Sequence, residues 1–509
     1  MVLRAVALLF ISSLPTVLAS NILFCQIVAT KSHRIIALPF LRQLAENGHN
    51  VTMISPFSPA LEGVDNLHEI QHGFAEMEEQ HNQFKTSSLF GEMAKYARLL
   101  PRLAKTAYST QWFSDLWHWR QHFDLVIIDG AFNDLCLPFL DSTTTPLVYI
   151  DTPGLVVPHH ATLGQIHNPA TVSYLVTPLS ISSVWGRLLN VFFYVTGFPV
   201  WRFIVIRPTE NEVRKIHPEV HSFSELERNH LSLILSNSHH ALDGPAPLLP
   251  NAVEIACCHC QPPKELPKNI ADFVADTDDT GIVYISLGSH VKSSDIPRAT
   301  LNSILRALEK IPYKVLWKFD KSEKEEQEIF PKNVMTQKWF PQQDILGHRN
   351  TKVFVSQGGL LSVHEAKYHG IPLVVLPLYG DQPRNAWAVE DGGYGVHLSW
   401  GDVTEESFRE SILEVATNPE YRRRISRISR LVHDQPDSPK ERAVWWLEYL
   451  LRNEGAAHLN QESFARNLSW PQILLLDVLL LTIFILALLG LIVWFVLRRI
   501  NSSGKSKVD

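Results

Sequence analysis

The chain is poor in cysteine, with five in 509 residues: Cys25, Cys136, Cys257, Cys258 and Cys260. So few exclude a small disulfide-framed scaffold, and an odd number leaves at least one thiol unpaired in an oxidising compartment. Cys257, Cys258, His259 and Cys260 crowd four donors into four positions, too tightly to wrap a tetrahedral zinc. They are expected to be a strand edge entering a linker, with or without one disulfide, and not a metal site. A strong charge of one sign is also missing. The 46 Lys and Arg face 52 Asp and Glu, a formal net charge of −6, and the basic residues are dispersed except at the far C-terminus, which speaks against a nucleic-acid partner. Long apolar runs are scarce. The stretch Val478 to Leu497 is unbroken, and at about 1.5 Å per residue it reaches about 30 Å, enough to cross a bilayer. A dinucleotide loop is lacking too, for Gly392-Gly393-Tyr394-Gly395 precedes a strand, the wrong order, and reads as a turn.

The first residues, MVLRAVALLFISSLPTVLAS, combine one Arg, a short apolar run broken by Pro15, and small residues at Ala19 and Ser20. This is the layout of a signal peptide over residues 1–20. Arg498, Arg499, Lys505 and Lys507 follow the apolar span 478–497, so the tail 498–509 is expected to be cytosolic and everything before the span lumenal, a type I membrane protein. The last five residues, KSKVD, match the two-lysine retrieval pattern of endoplasmic-reticulum membrane proteins. Asn467-Leu468-Ser469 offers a glycosylation site just outside the membrane, whereas Asn50-Val51-Thr52 is expected in a buried strand and unmodified. Ile181 to Ile206 is dense in Trp, Phe, Val and Leu but interrupted by Gly197 and Pro199. It reads either as a segment against the membrane surface or a binding channel, or as a buried helix pair.

A chain of this length is too long for one core and is expected to form two domains. Ile22 to Ala29 is apolar without alternation, as in a central parallel strand; a helix from about Ser32, its cap, to Gly48 and a strand from Val51 to Ser55 complete a βαβ unit. His33 stands at the strand-to-helix corner of this unit, at the carboxyl edge of the sheet where ligands bind. The buried run Phe123 to Ile128 ends at Asp129-Gly130, where the acid is either a turn former or a functional carboxylate. Leu61 to Trp119 is amphipathic and irregular, suited to helices lining a pocket. Pro, Cys, Lys and Asp accumulate over residues 245–280, marking an interdomain linker between a domain at 21–244 and a second at 281–452, with a juxtamembrane segment at 453–477. Asp276-Thr277-Asp278 has the spacing of a metal-binding acidic triplet, but it sits in the polar linker and not at a strand end, so no metal is expected there.

Ile282 to Ser286 opens the second domain and runs into Leu287-Gly288-Ser289, a turn whose Ser289 hydroxyl can face a sugar or diphosphate. The centre of this domain is the stretch from Trp339 to Gln382. Val353 to Ser356 is a β-branched run that stops at Gly358-Gly359, and helical spacing follows from Leu361 to His369. A glycine pair between strand and helix lets backbone approach a ligand, and the free N–H groups of the helix attract an anion. Trp339 offers a flat ring to a nucleobase, with the Gln342 amide beside it. Glu365, a turn and a half into the helix, can accept hydrogen bonds from two ribose hydroxyls, and Asp381-Gln382 follow the next strand at its carboxyl end.

This segment resembles the signature of the UDP-glycosyltransferases, animal enzymes that conjugate small lipophilic molecules, and the likeness runs over nearly the whole chain. The resemblance implies an α/β fold of the GT-B type, two Rossmann-like domains facing across a cleft. The N-terminal domain would bind the acceptor, the C-terminal one the UDP-sugar, and the helix Lys440 to Arg452 would cross back onto the first. It implies that Trp339 stacks on the uracil, Glu365 holds the ribose, Gly359 with Ser362 the diphosphate, and Asp381 with Gln382 the sugar hydroxyls; Gln342 and Gly358 stand beside them as further donor-site candidates. It makes His33 the catalytic base and Asp129 its carboxylate partner. Two positions depart from the family: Gln357 stands where His is usual, and Leu361 where many members have Asn.

The reaction so implied is a single inverting displacement, with UDP-sugar as co-substrate and no metal or other cofactor. Glucuronate is the expected sugar and glucose the alternative, since Asp381 and Gln382 meet hydroxyls that both sugars share. A carboxylate needs a cation, for which Arg34 and Arg384 are the candidates. The acceptor is expected to be a small lipophile. A ceramide-type lipid acceptor, or a lumenal carrier that has lost transfer, are the alternatives; the presence of His33, Asp129, Glu365, Asp381 and Gln382 argues against the carrier. Homo- or hetero-oligomerisation is left open.

Overall fold

The computed structural model describes residues 19–61, 63–74, 89–275, 280–288, 293–320, 330–459, 468–473 and 475–505. Residues 1–18 of the expected signal peptide, the triplet Asp276-Thr277-Asp278, Ser289, Asn467 and the end of the tail lie outside the described residues.

Apolar runs without alternation become parallel strands covered on both faces. In the N-terminal sheet, β1 (Asn21–Cys25), β2 (Asn50–Ser55), β3 (Leu67–Gln71), β4 (Leu125–Asp129), β5 (Leu147–Asp151), β6 (Leu231–Ser236) and β7 (Ala252–Glu254) lie in the order β3-β2-β1-β4-β5-β6-β7. The C-terminal sheet, β8 (Ile282–Ser286), β9 (Lys314–Lys318), β10 (Val334–Gln337), β11 (Thr351–Ser356), β12 (Leu373–Val375) and β13 (Gly395–His397), has the order β10-β9-β8-β11-β12-β13. In both sheets the order reverses beside the first strand, so a crevice opens outside the carboxyl ends of β1 and β4, and of β8 and β11.

Alternate residues of the central strands feed opposite faces of the first sheet. Leu23, Cys25, Val126 and Ile128 pack with Leu100 and Leu103 of the helix Leu89–Ser109. Ile22, Phe24, Leu125 and Ile127 pack with Phe40 and Leu41 of the helix Lys31–Glu46, and with Ala443, Val444, Leu447 and Leu450 of the helix Pro439–Arg452. The late helix therefore completes the early core. A capping box starts it, Ser438 Oγ accepting from Glu441 N and the Glu441 side chain from Ser438 N. Asn47 Nδ2 donates to Glu448 Oε1 at 2.6 Å across this contact. A second link joins the domains directly: His364 Nε2 lies 2.9 Å from Asp243 Oδ1, and Lys367 Nζ donates to the Leu242 carbonyl. Burial works against the charged form of Asp243, yet His364 and Lys367 hold its carboxyl down at about 2.

Several expectations are corrected. Thr30, not Ser32, caps the first helix: its backbone is extended and its Oγ1 accepts from His33 N. β3 reads LHEIQ and is an edge strand, whose polar residues hid it within an expected helical region. β7 lies inside the segment read as linker, so the N-terminal sheet runs on to Glu254. Asn50 is exposed at the start of β2, although Val51 behind it is fully buried. The disulfide joins Cys25 to Cys136, while Cys257, Cys258 and Cys260 are thiols.

Residues 184–216 form neither a helix pair nor a fully buried element. The helix Val184–Trp201 continues through a wider π-turn at Arg202–Ile206 into the helix Arg207–Ile216. It exposes Trp185, Leu188, Phe192 and Phe203 while burying Asn190 and Tyr194. By length and composition, residues 184–216 and Leu476–Arg498 are each apolar enough to cross a membrane; the latter lies in the helix Leu476–Lys505 and contains the expected span.

Candidate active site in the interdomain cleft

The carboxyl ends of β1, β4 and β5 build one wall of the cleft. His33 sits in the first turn of the helix after β1, and its Nδ1–H donates to Asp129 Oδ2 at 3.0 Å, which leaves Nε2 for the cavity that His33 lines. Asp129, at the end of β4, is fully buried and is held by Gln26 Nε2 (2.9 Å), the backbone N–H of Ala131 (3.1 Å) and Thr152 Oγ1 (2.9 Å). Thr152 Oγ1 also lies 3.1 Å from His33 Nδ1. Asn133 ties the loops together, its Oδ1 accepting from Ile27 N and Val28 N at 2.7 Å each. Burial alone would lower the pKa of His33. The charge of Asp129 and its hydrogen bond outweigh that, with a further contribution from Asp381 across the cleft, and the net shift is upward from 6.5.

The facing wall is the carboxyl edge of β8, β9, β11 and β12. Gly288 and Gly358 have φ of +80° and +84°, a region L side chains avoid, and a Cβ on Gly288 would stand 2.2 Å from Gln357 Nε2. The Gln357 amide is thus seated between the Gly288 turn and Gly359, the residue that caps the helix Leu360–His369, with Ser356 Oγ donating to its Oε1 at 3.2 Å. Trp339 is 59% exposed and faces the cavity. Gln342 Nε2 donates to Glu365 Oε2 at 2.7 Å and to Ser362 Oγ at 3.3 Å, while His259 Nε2 lies 3.2 Å from Glu365 Oε1. Asp381 accepts from Asn385 Nδ2 at 2.7 Å. Gln382 Oε1 is taken by the N–H groups of Leu378 and Tyr379, so this side chain has only its amide N–H groups to offer.

His33, Trp339, Gln342, Gln357, Gly359, Ser362, Glu365, Asp381 and Gln382 all line one cavity of about 1390 Å³ that spans both domains. Asp129 and Gly358 lie just behind its wall. The N-terminal half is apolar and aromatic: Tyr96 stacks on Phe132 at 4.0 Å, and Trp201 leans on Phe132 at 5.3 Å. Arg34 does not face the cavity. It is buried, ion-paired with Glu69 and bonded to the Ser58 carbonyl at 2.6 Å. Arg384 is also not part of the cavity wall, its guanidinium lying against Asn385 and near Gly154. Sequence reasoning missed Lys318, whose Nζ lies 5.5 Å from the centre of the Trp339 ring and donates to the Gly288 carbonyl. Burial lowers its pKa, opposed by Asp320 and aided by Lys31 from the other domain. Its signal was its place at the end of β9, a carboxyl strand end like that of Asp129.

The family model described as "UDP-glucoronosyl and UDP-glucosyl transferase" matches residues 26–504. Among relatives, the UDP-glycosyltransferase UGT5 of Dactylopius coccus is 32% identical over 91% of this chain and 89% of its own length. The UDP-glucuronosyltransferase 2B10 of Homo sapiens is 34% identical over 69% of this chain and 66% of its own. Among solved structures, a UDP-glucose: anthocyanidin 3-O-glucosyltransferase in complex with UDP superposes with a TM-score of 0.56 at 15% identity, covering 85% of this chain and 99% of that one. The calicheamicin glycosyltransferase CalG4 superposes with a TM-score of 0.53 at 18% identity, again over 85% and 99%. These likenesses establish the GT-B fold.

Proposed function

This chain belongs to the family of UDP-glucuronosyl and UDP-glucosyl transferases, and on that premise we propose that it is an inverting transferase moving glucose from UDP-glucose to a hydroxyl of small lipophilic acceptors. It is a UDP-glycosyltransferase; the choice of sugar and acceptor is the reading added here. The observation that carries it is the common cavity, with the His33–Asp129 pair on one wall and Asp381 on the other close enough to act on the charge of His33.

In the proposed reaction His33 Nε2 takes the proton of the acceptor hydroxyl as its oxygen attacks the anomeric carbon from the face opposite UDP. The C–O bond to the phosphate breaks and its electron pair leaves with UDP, so configuration inverts. Asp129 orients the imidazole and stabilises its positive form, and Thr152 and Gln26 keep that carboxylate in place. Charge growing on the leaving diphosphate meets the N–H groups from Gly359 onward, the Gln357 amide and Lys318. These donors make a metal unnecessary in the proposed mechanism. Trp339 stacks on uracil, Glu365 takes the ribose hydroxyls and Asp381 with Gln382 the sugar hydroxyls.

Glucose is favoured over glucuronate because the two cations expected for a sugar carboxylate, Arg34 and Arg384, do not line the cavity, the first ion-paired with Glu69 and the second lying against Asn385; Lys31 and Lys318, which do line it, are the cations through which glucuronate would be held instead. The apolar span and the signal sequence support a type I protein of the endoplasmic-reticulum membrane with both domains lumenal. The test is a competition assay on microsomes carrying the protein, with UDP-glucose and UDP-glucuronate offered together against phenols and steroids in the presence of EDTA. Glucosides should dominate. Glucuronides in excess, or loss of turnover to the chelator, would refute the corresponding part.

A further inference from the structure

A second His–Asp pair stands in the acceptor half of the cavity, and the proposed transfer does not use it. β4 and β5 are neighbours, and each ends in an aspartate. Asp129 serves His33; Asp151, fully buried, accepts from His159 Nδ1–H at 2.6 Å. Val156 N–H (3.2 Å) and His160 Nε2 (3.5 Å) also reach Asp151 Oδ2. The His159 ring stacks on Tyr149 at 4.1 Å. It also fills the space where a side chain at residue 130 would be, since a Cβ on Gly130 would stand 2.6 Å from His159 Cε1 and 2.9 Å from Asp151 Oδ1. Gly130 has an ordinary negative φ, so its lack of a side chain makes room for this ring and not for a special turn.

With Nδ1 committed, Nε2 is left on the side of the cavity that His159 lines, and among the described residues it has no hydrogen-bond partner. Asp134 lines the same cavity. Burial alone would lower the pKa of His159, but Asp151 beside it, with Glu227 and Asp134 further off, raises it to about 9, so at neutral pH Nε2 carries a proton. Burial pushes the carboxyls of Asp134 and Glu227 upward, with His159 opposing.

We propose that His159 and Asp134 form a polar subsite for a second hydroxyl of the acceptor, so that the preferred substrates are lipophiles bearing two hydroxyl groups, one delivered to His33 and the other held here. This rests on the transferase reading and deepens it. A hydroxyl suits the pair because it accepts from His159 Nε2–H while donating to Asp134. A carboxylate suits it less, for the positive ring is already matched by Asp151, and the one further cation acting here, Arg202, is shared by the two acids Asp134 and Glu227. His159 is a specificity residue, and the proton transfer stays with His33.

The experiment compares matched acceptors, phenol with catechol and 4-hydroxybiphenyl with 4,4′-dihydroxybiphenyl, adding 4′-hydroxybiphenyl-4-carboxylate as the anionic member. Two equivalent hydroxyls give a factor of two by statistics. A built hydroxyl subsite should raise kcat/KM for at least one dihydroxy member about tenfold or more over its partner. His159→Phe, which keeps a ring on Tyr149, should return that ratio to about two, and His159→Gln, which keeps a donor, should recover part of it. An unchanged ratio in His159→Phe, an equal fall for both members of a pair, or a preference for the carboxylate would overturn the proposal. Should His159→Phe fail to fold, the His159→Gln ratio decides. Acceptor binding followed by tryptophan fluorescence separates the two readings. Discrimination between pair members that His159 controls, without transfer from any sugar donor, would sink the transferase reading and leave the subsite; transfer without discrimination would do the reverse.

Discussion

His33 is the residue on which the proposed chemistry turns. His33→Ala should lower kcat by about 10² to 10⁴ while UDP binding stays within twofold or so, because the ring faces the acceptor and not the nucleotide. Full turnover in that variant, measured with a saturating phenol, would remove His33 from the mechanism. The pH dependence follows from the same contact. A base works only when unprotonated, and Asp129 raises the pKa of His33, so activity should fall as pH drops, with the acid limb of kcat/KM above 6.5. In Asp129→Asn the limb should move to lower pH as the plateau falls; an unmoved limb would assign it to another group. Gln357 invites a further comparison. Its amide reaches the phosphate side without charge, so Gln357→Ala should bind UDP more weakly, whereas Gln357→His, charged below the pKa of its ring, should bind equally or several-fold tighter by calorimetry. Weaker binding by the histidine variant would mean that the seat beside Gly288 is shaped for the amide. At this scale the gathering of Trp339, Gln342, Glu365, Asp381 and Gln382 on one cavity wall was legible, since they fall in one linear stretch. Thr152 and Asn133 were not, for the contacts that give them meaning reach partners 23 and 106 residues away.

Among the elements, those with strong apolar runs or clean helical spacing could be read directly. β8, β11 and the crossing helix Pro439–Arg452 fall within a residue or two of expectation. The elements that escaped have little apolar content to mark them. β3 is an edge strand with a polar outer side, and β7 is three residues long beside a proline-rich stretch. The long apolar helix runs on through Pro199 and passes by the wider turn at Arg202–Ile206 into Arg207–Ile216, a continuity that local propensity does not announce. The crossing helix Pro439–Arg452 gives a quantitative test. Leu447 is fully buried against the N-terminal core, and Leu447→Ala should cost about 2–5 kcal/mol, seen as earlier unfolding of the N-terminal domain in urea. A change under about 1 kcal/mol would mean that the helix is only draped over that domain.

For the molecule as a whole, two domains and a βαβ unit were readable from length and apolar pattern and the facing of the domains from the family resemblance, whereas the pairing of the cysteines was not. Cys25 and Cys136 enclose a loop 111 residues in sequence separation. In the chain-entropy account, closing such a loop stabilises by about 4–5 kcal/mol. Treatment with dithiothreitol, or Cys136→Ser, should therefore lower the melting temperature of the N-terminal domain while UDP affinity, which belongs to the other domain, changes little. Equal damage to both would show that the two sheets unfold as one unit.

The packing of Pro439–Arg452 on the first sheet also sets a timetable for biosynthesis. The last strand of the N-terminal sheet ends at Glu254, but the helix that seals one of its faces ends about 200 residues later. A ribosome adding roughly 5–20 residues per second needs on the order of 10–40 s to cover that distance. For that interval the face of the nascent domain is covered only in part, by the helix Lys31–Glu46, and it can be finished only after the second domain has emerged. A chain halted near residue 430 should thus remain bound to chaperones and open to protease at this face, and a chain halted past residue 460 should be released.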